Sequence, residues 1–276
     1  MIDSGRDRSD RAAAVLWERW QSRRSGGFLP GYVRPVTLSD AWAVQVAFAE
    51  LAGPTIGWKV AASSIAGQQH IGASGPIAGP LLASGLRQSG ETVPLTRMAS
   101  AEPEIAFRLG KSLPASGGPY GSDEIMASVS EVLPSIEIPD SRFSEVSGVG
   151  QAQILADMAC TAYVVLGAPI RTWEFGDLKD RRVLMRVNGE VVADGVGSNA
   201  LGGPLNALLW LVDEVTERGS DLLAGQIVIT GAAAPPAPIR VGDIISCEVD
   251  GAPPVTTTIA CASGHSCASA GKTVAE

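Results

Sequence analysis

Short apolar segments bounded by Gly, Pro and Ser recur through the centre of the chain, and they constrain the fold more than any other feature. Their side chains alternate in part between apolar and polar, which is the period of a strand. We therefore predict strands over 57–60, 102–107 and 135–138, with two later strands over 226–230 and 243–249. The chain is thus expected to build its core around a sheet.

A β-hairpin is predicted where the dipeptide Asn188-Gly189 separates two apolar runs, 183–187 and 190–193. Asn-Gly suits a two-residue hairpin turn because both of its residues readily adopt positive φ angles. The two runs are therefore expected to pair as neighbouring antiparallel strands.

Apolar residues recur at helical spacing in other parts of the chain. The first dozen residues are charged and lack this spacing, so they are expected to form a short exposed leader. Helices are predicted over 12–20, 40–52, 122–132, 151–166 and 204–218. We expect residues 1–53 to form a helical N-terminal extension, 54–260 the main domain, and 261–276 a flexible tail of small and polar residues.

The charge balance argues against nucleic acid as a partner, because a net charge of −8 repels phosphate backbones and anionic lipid surfaces. No apolar run approaches the ~20 residues that cross a bilayer, so no membrane association is expected. The start of the chain lacks the apolar core of a signal peptide. These features favour a cytoplasmic protein, and its four cysteines are expected to be reduced.

Three glutamates lie in apolar, strand-like segments. Glu102 and Glu104 share one face of their strand, with Cβ atoms roughly 7 Å apart, so both can reach one ion. Pro103 between them cannot donate to a sheet ladder, which favours an edge or rim position. Glu137 lies between two isoleucines that favour burial. A carboxylate in an apolar interior is costly unless it is paired or bound to metal.

Oxygen ligands alone favour a hard cation, Mg²⁺ or Mn²⁺, over Zn²⁺. With only His70 and His265 in the chain, imidazole-rich metal sites are excluded. Spacing alone, however, favours a simpler interpretation, in which the Glu-x-Glu pair is a solvated strand face and Glu137 a surface acid. The residue pattern by itself leaves both interpretations open.

The order of the segments adds further information. The chain contains, in this order, Gly57-Trp58-Lys59-Val60, Glu102-Pro103-Glu104-Ile105-Ala106-Phe107, Ile136-Glu137-Ile138-Pro139-Asp140-Ser141-Arg142, Ala156-Asp157, Val187-Asn188-Gly189-Glu190-Val191, Leu201-Gly202-Gly203-Pro204 and Ile229-Thr230-Gly231. This ordered set resembles the 2-keto-4-pentenoate hydratase and 4-oxalocrotonate decarboxylase branch of the fumarylacetoacetate hydrolase superfamily. The match spans residues 34 to 260, approximately, and favours the metal interpretation.

The resemblance implies an α+β fold, a mixed β-roll with flanking helices. It implies a divalent metal, Mg²⁺ or Mn²⁺, held by Glu102, Glu104 and Glu137. It further implies that Lys59 is a catalytic cation, although a lysine with a buried stem and a solvent-exposed head would give the same local sequence.

Further roles follow from the resemblance at the edge of the site. Substrate-binding positions are Thr230, Gly231 and Ala232, and positions that support the site without touching substrate are Asp140, Arg142 and Asp157. The family signature ends in Ser or Thr where this chain has Ala232, which removes one hydroxyl. The family's Asp-Asn pair is Asp157-Met158 here. These departures leave the three glutamates untouched.

The implied function is a metal-dependent hydratase that adds water to a 2-hydroxy-dienoate or 2-oxo-enoate in the catabolism of aromatic-derived acids. The expected partner is a small 2-oxo or 2-hydroxy carboxylic acid, and the expected assembly is a homo-oligomer. Three alternatives stay open: a decarboxylase of a 2-oxo-enedioate, a C–C bond hydrolase of an acylpyruvate with His70 as base, and a member that has lost turnover.

Overall fold

The structure is a computed structural model that describes residues 4–262. Of the predicted flexible tail, residues 263–276 lie outside the described residues. The described helices are α1 (Ser4–Gln21), α2 (Leu38–Ala52), α3 (Ile65–Ile71), α4 (Ser122–Ser128), α5 (Gln151–Ala156) and α6 (Pro204–Glu217). The described strands are β1 (Thr55–Ala61), β2 (Ile77–Leu82), β3 (Leu86–Gln88), β4 (Thr92–Pro94), β5 (Ser100–Leu109), β6 (Val129–Ile138), β7 (Tyr163–Leu166), β8 (Arg182–Val187), β9 (Glu190–Val196), β10 (Ile227–Ile229), β11 (Ala237–Pro238), β12 (Ile244–Val249) and β13 (Val255–Ala260).

The strands form two mixed sheets, which confirms the predicted α+β class with a mixed β-roll. The larger sheet has the order β2-β1-β10-β5-β6-β7-β3, and β11 pairs with β5 outside this path. The smaller sheet has the order β4-β13-β12-β8-β9. β1 pairs in parallel with β10, whereas β5 pairs antiparallel with both β10 and β6. The larger sheet therefore places β5 and β6 in its interior.

Helix α1 packs against α2, and α2 also packs against α5. Leu16 and Phe48 are fully buried in the same apolar cluster as Ile154. The predicted leader is wrong over its described part, because α1 already begins at Ser4 and includes the charged residues, which are exposed or half-buried. Asp7 and Arg11 form an ion pair one helical turn apart, a spacing that supports a helix. The division at residue 53 stays a prediction.

Two predicted helices are shorter than expected. The segment predicted as a helix over 122–132 ends at Ser128, and β6 follows at once because its apolar side chains complete a long ladder with β5. The segment over 151–166 is helical only to Ala156 and ends in β7, whose β-branched valines suit a strand. The hairpin of β8 and β9 and the helix α6 are confirmed.

The prediction of four reduced cysteines is wrong in one described position. Cys160 and Cys247 are free and buried, whereas Cys261 is disulfide-bonded. None of the helices described is both long and apolar enough to cross a membrane.

Candidate active site

The register of two interior strands brings the three glutamates together. Glu102 on β5 lies directly opposite Glu137 on β6, and Glu104 follows two residues along the same strand. Each offers a carboxylate oxygen, and these oxygens lie within 4.8 Å of one another. The alternation predicted from the sequence places Glu102 and Glu104 on one face of the larger sheet, and the register of β5 with β6 adds Glu137 to that face.

Pro103 does not mark a sheet edge, because β5 is an interior strand. The prediction of an edge position is wrong, but its physical basis holds locally. Pairing of β5 with β10 ends at Ala106, and pairing with β11 covers only Ala101 and Ser100. Pro103 lies in the gap between them, where its carbonyl accepts a hydrogen bond from Ala233 N at 2.9 Å. The missing N–H therefore costs no ladder bond.

Lys59 extends from β1 into the same cluster. Its side chain is 4% exposed and its Nζ forms an ion pair with Glu137. Burial would lower the pKa of Lys59, but the charges of Glu137 and Glu102 outweigh it and the pKa lies above its ordinary value. The alternative of a solvent-exposed head is therefore wrong, and the site contains a buried ammonium group.

Glu104 is the most deeply placed of the three acids. Its Oε2 accepts a hydrogen bond from Gly231 N at 2.7 Å, whereas its buried Oε1 has no hydrogen-bond partner among the described residues. Burial, followed by the charges of Glu137 and Glu102, raises the pKa of Glu104 well above its ordinary value. The same causes, burial first and then Glu137, raise the pKa of Glu102 to about 7.

Three carboxylates and one ammonium group leave an excess of negative charge in a buried place. Such an excess is costly unless a cation offsets it, and an unpartnered carboxylate oxygen is a ready metal ligand. The donor set consists of carboxylate oxygens alone, which suits Mg²⁺ or Mn²⁺. The residues present therefore fit the divalent metal that the family resemblance implied.

The Thr230-Gly231-Ala232 segment lies against β5, the strand that carries Glu102 and Glu104. Thr230 Oγ1 donates to the carbonyl of Ile105 at 2.8 Å and is buried, so this hydroxyl serves the backbone. Gly231 has a φ of +99°, and a Cβ there would lie 2.1 Å from Ser63 Oγ. Glycine is thus required for the backbone N–H that holds Glu104. Ala232 lines the adjoining cavity.

Asp140, Arg142 and Asp157 form ion pairs outside the carboxylate cluster. Asp140 pairs with Arg97 at 2.7 Å and lines, with Arg142, a separate cavity of about 310 Å³. Arg142 and Asp157 are both fully buried and pair with each other. The structure therefore gives these three residues ion-pair partners other than the predicted metal ligands, Arg97 for Asp140 and each other for Arg142 and Asp157.

A cavity of about 630 Å³ opens beside Lys59 and Glu102. Several of its lining residues were not predicted from the sequence, among them Ser63, Met98 and Cys160. They come from separate loops and helices, so no local motif marks them. Burial raises the pKa of Cys160 to about 12, so this side chain is a neutral thiol.

The fold and the site together define a class, an α+β protein whose interior strands carry a carboxylate cluster able to hold a divalent metal. The chain belongs to the fumarylacetoacetate hydrolase family, because the model of the "Fumarylacetoacetate (FAA) hydrolase C-terminal" family matches residues 32–260. This membership confirms the resemblance seen in the ordered motifs.

Two relatives are named as hydratases. The chain is 32% identical to the TodF product hydratase of Pseudomonas putida F1 over 94% of this chain and 98% of the relative. It is 34% identical to 2-keto-4-pentenoate hydratase 1 of Dechloromonas aromatica over 71% of this chain and 74% of the relative.

A solved structure is similar over nearly the whole chain. It is the 4-oxalocrotonate decarboxylase of Pseudomonas putida G7 in complex with magnesium and adipate, with a TM-score of 0.81 and 25% identity. The alignment covers 92% of this chain and 98% of the decarboxylase. A second structure of that enzyme contains calcium and acetate.

Proposed function

We propose that this protein is a metal-dependent hydratase that adds water to a small 2-hydroxy-dienoate or its 2-oxo-enoate tautomer. The observation that carries the proposal is the cluster of Glu102, Glu104, Glu137 and Lys59 beside one cavity. Relatives named as hydratases support it. A place in the catabolism of aromatic-derived acids follows from the same resemblance.

Glu102, Glu104 and Glu137 would hold the divalent cation, Mg²⁺ or Mn²⁺. When bound, the cation would supply Lewis-acid polarisation of the substrate's carboxylate and 2-oxygen. Three carboxylate ligands leave about three of ~6 positions open on such an ion. The vacancy suits a bidentate acid, which is why we propose a 2-oxo or 2-hydroxy carboxylate as substrate.

Lys59 would stabilise the negative charge that develops on the substrate. Its ammonium group has three donors, and Glu137 accepts one of them, so two remain for substrate oxygens. A fixed, buried donor is worth far more than one in water, because no solvent has to reorganise around the new charge. We propose direct substrate contact for Ala232 as well, with Thr230 and Gly231 holding the backbone beneath it.

The three remaining predicted site positions have ion-pair partners within the protein. Asp140, Arg142 and Asp157 pair among themselves or with Arg97, so we propose that they stabilise the loops beside the site. They would act through the fold and not through the substrate.

A decarboxylase of a 2-oxo-enedioate is the second candidate, because a structure similar to this chain is a decarboxylase. Both reactions use the same chelate. A C–C hydrolase has less support, since His70 is exposed and the acid near it, Glu145, is also exposed. A general base needs an orienting partner held in place.

The deciding experiment is a steady-state assay of the purified protein with Mg²⁺ against a freshly generated 2-hydroxy-dienoate, followed in the ultraviolet. We expect loss of conjugation without release of CO₂. Release of CO₂ from an enedioate would favour the decarboxylase, and no turnover of either substrate would favour a member that has lost activity.

The metal chelate has its own test. Oxalate should inhibit competitively when the metal is present, whereas butyrate should inhibit poorly because it lacks a second donor. Equal inhibition by oxalate after the metal is stripped would contradict the chelate.

We also propose that the protein is a homo-oligomer. Support comes from the large apolar side chains exposed in the N-terminal region, of which Tyr32 is 72% and Val36 77% exposed. Light scattering at micromolar concentration tests this, and a mass near the single chain's 28.4 kDa would contradict it. The cytoplasmic location stays a prediction.

A further inference from the structure

The cavity beside the carboxylate cluster has two unlike parts. One contains Lys59 and Glu102, at the proposed metal. The rest of the lining is mainly apolar, with Ser63, Ser64, His70 and Asn199 as its polar members. The apolar members come from several separate segments of the chain. They include Ile71, Met98, Val146, Ile154 and Pro235. Of these, Ile71 and Ile154 are buried, Met98 and Val146 are half-buried, and Pro235 is exposed. The apolar lining therefore extends from the core to the protein surface.

The charges around this lining are few. Among the residues that the structure describes, Lys59 is the one lysine or arginine that lines the cavity, and Glu137 already pairs with it. Arg97, next to Met98 in sequence, is held by Asp140 through Nε and Nη2 and donates from Nη1 to the carbonyl of Arg24. Its guanidinium therefore belongs to the neighbouring cavity.

The remaining titratable groups near the apolar part are His70 and Glu145. His70 lines the cavity from α3 and is exposed. Hydrogen bonds from Ser147, followed by the charge of His70 as a smaller cause, lower the pKa of Glu145. Glu145 thus already places an acid near His70, and a second carboxylate placed beside them would face the negative charge of Glu145.

We infer that the substrate carries an apolar substituent, alkyl or aryl, at the end remote from its acid group, and that a second carboxylate at that end is rejected. The inference rests on the proposed function, because the metal end of the cavity is what orients the acid group. A cavity of about 630 Å³ has room for such a substituent beyond a five-carbon acid. Burying a carboxylate among Ile71, Met98 and Val146 without a partner would be costly.

A substrate of this kind would differ from the ligand seen in the similar 4-oxalocrotonate decarboxylase structure. That decarboxylase was solved with adipate, a dicarboxylate of six carbons. A six-carbon ligand pair that differs only at its far end therefore gives a direct test. 2-Oxohexanoate ends in a methyl group and 2-oxoadipate in a carboxylate, and neither has a conjugated double bond to hydrate.

Binding of the two ligands to the Mg²⁺-loaded protein would be measured by calorimetry. We expect 2-oxohexanoate to bind at least about tenfold more tightly, the lower range for one apolar group in a matched pocket. Equal binding, or tighter binding of 2-oxoadipate, overturns the inference. Loss of 2-oxoadipate binding in His70→Gln would then assign the distal carboxylate to His70.

A gain-of-function variant sharpens the result. Met98→Lys keeps an unbranched side chain of similar length and adds a cation to the apolar lining. We expect the preference for 2-oxohexanoate to shrink or reverse in this variant. An unchanged preference in a folded Met98→Lys protein would show that the distal end of the ligand lies elsewhere, which contradicts the inference.

Kinetics separates failure of the inference from failure of the proposed function. The matched substrates are 2-hydroxyhexa-2,4-dienoate and 2-hydroxymuconate, which differ in the same way at the far end. Hydration of both at equal kcat/KM overturns the inference and leaves the function standing. Hydration of neither, together with the expected binding preference, overturns the function and leaves the inference standing.

Discussion

Two buried ion pairs in this protein differ in how completely they are satisfied. Arg142 donates from its guanidinium to the carboxylate and carbonyl of Asp157 and to the carbonyl of Thr161. Asp157 Oδ2 also accepts from Ser141 Oγ at 2.8 Å and from Arg142 N at 3.0 Å. The guanidinium lies 4.7 Å from the ring centroid of Trp20. This pair is balanced in charge and closed by its own partners.

The pair of Lys59 and Glu137 is neither balanced in charge nor closed by its own partners. We call it the open pair, and we call the pair of Arg142 and Asp157 the closed pair. Glu102 and Glu104 lie beside it, Glu104 Oε1 lacks a partner among the described residues, and the cavity borders it. Both pairs are almost fully buried. Burial and an adjoining cavity are common to both pairs and do not mark function, whereas surplus charge with an unpartnered carboxylate oxygen indicates a functional site.

The first prediction concerns stability and should show the largest effect. Arg142→Met leaves the carboxylate of Asp157 buried without its cation and should lower the free energy of unfolding by about 3–5 kcal/mol. Urea denaturation measures it. Arg182→Met, which breaks the exposed pair with Asp194, is the matched control and should hardly move the midpoint. Equal shifts in the two variants would refute the closed, structural interpretation of Arg142.

The second prediction concerns turnover. Lys59→Met keeps the stem and removes the charge, so fold and metal should be retained while kcat/KM falls by about 10²–10³, the effect typical of losing one buried donor to a developing charge. Lys111→Met, on an exposed lysine, is the control and should leave kcat/KM unchanged. A folded Lys59→Met protein with normal kcat/KM would assign Lys59 to structure.

The third prediction concerns the metal. Glu104→Gln keeps the shape of the side chain and removes the charged ligand, so Mg²⁺ affinity should fall by at least the 10–100-fold that is typical of losing a contact that supports a metal ligand. Calorimetry with Mg²⁺ measures it. Glu131→Gln changes an acid farther along the same β5–β6 ladder, where it pairs with Arg108, and should bind Mg²⁺ normally. Equal affinity in both variants and the parent would exclude Glu104 as a ligand.

The open pair was far more predictable from the sequence than the closed one. Alternation within a strand places Glu102 and Glu104 on one face, so the carboxylate cluster needed only the correct pairing of two strands. The partner of Arg142 is Asp157, which is followed by a left-handed turn over 158–160 that no sequence pattern predicts. Met158, Ala159 and Cys160 have φ angles of 53°, 50° and 62°. Such angles cost roughly 1–2 kcal/mol per residue, and only tertiary contacts hold them.

The same limit explains the helix predicted over 151–166. Its apolar residues are buried in three consecutive elements, α5, the left-handed turn and β7. A continuous apolar stretch of this kind cannot be distinguished by its pattern from a single buried helix. The apolar part of the cavity lining was unpredictable for a related reason, since residues such as Met98, Val146 and Ile154 are distant in sequence and meet only in the fold. Sequence patterns predict which face of a helix or strand is buried, but they do not predict which loops come into contact.

The smallest effect we predict is the dependence of metal stabilisation on pH, and it applies to the open pair alone. Burial raises the pKa of Glu102 to about 7, against 4.5 when unperturbed. A group with a raised pKa takes up a proton on folding, so this stabilisation is complete below about pH 4.5 and is lost as the pH rises through 7. The Tm of the metal-free protein should therefore fall over this range.

Added Mg²⁺ should reverse that fall, because the cation replaces the protons that the carboxylates lose. The gain in Tm on adding Mg²⁺ should be larger at pH 8 than at pH 6, by a few degrees, since one competing proton is worth about 1.4 kcal/mol per pH unit at most. The Glu104→Gln protein should show a smaller gain at both pH values. A gain in Tm on adding Mg²⁺ that is independent of pH would mean that the ion does not compete with protons on these carboxylates. The distinction between the open and the closed pair would then have to rest on turnover alone.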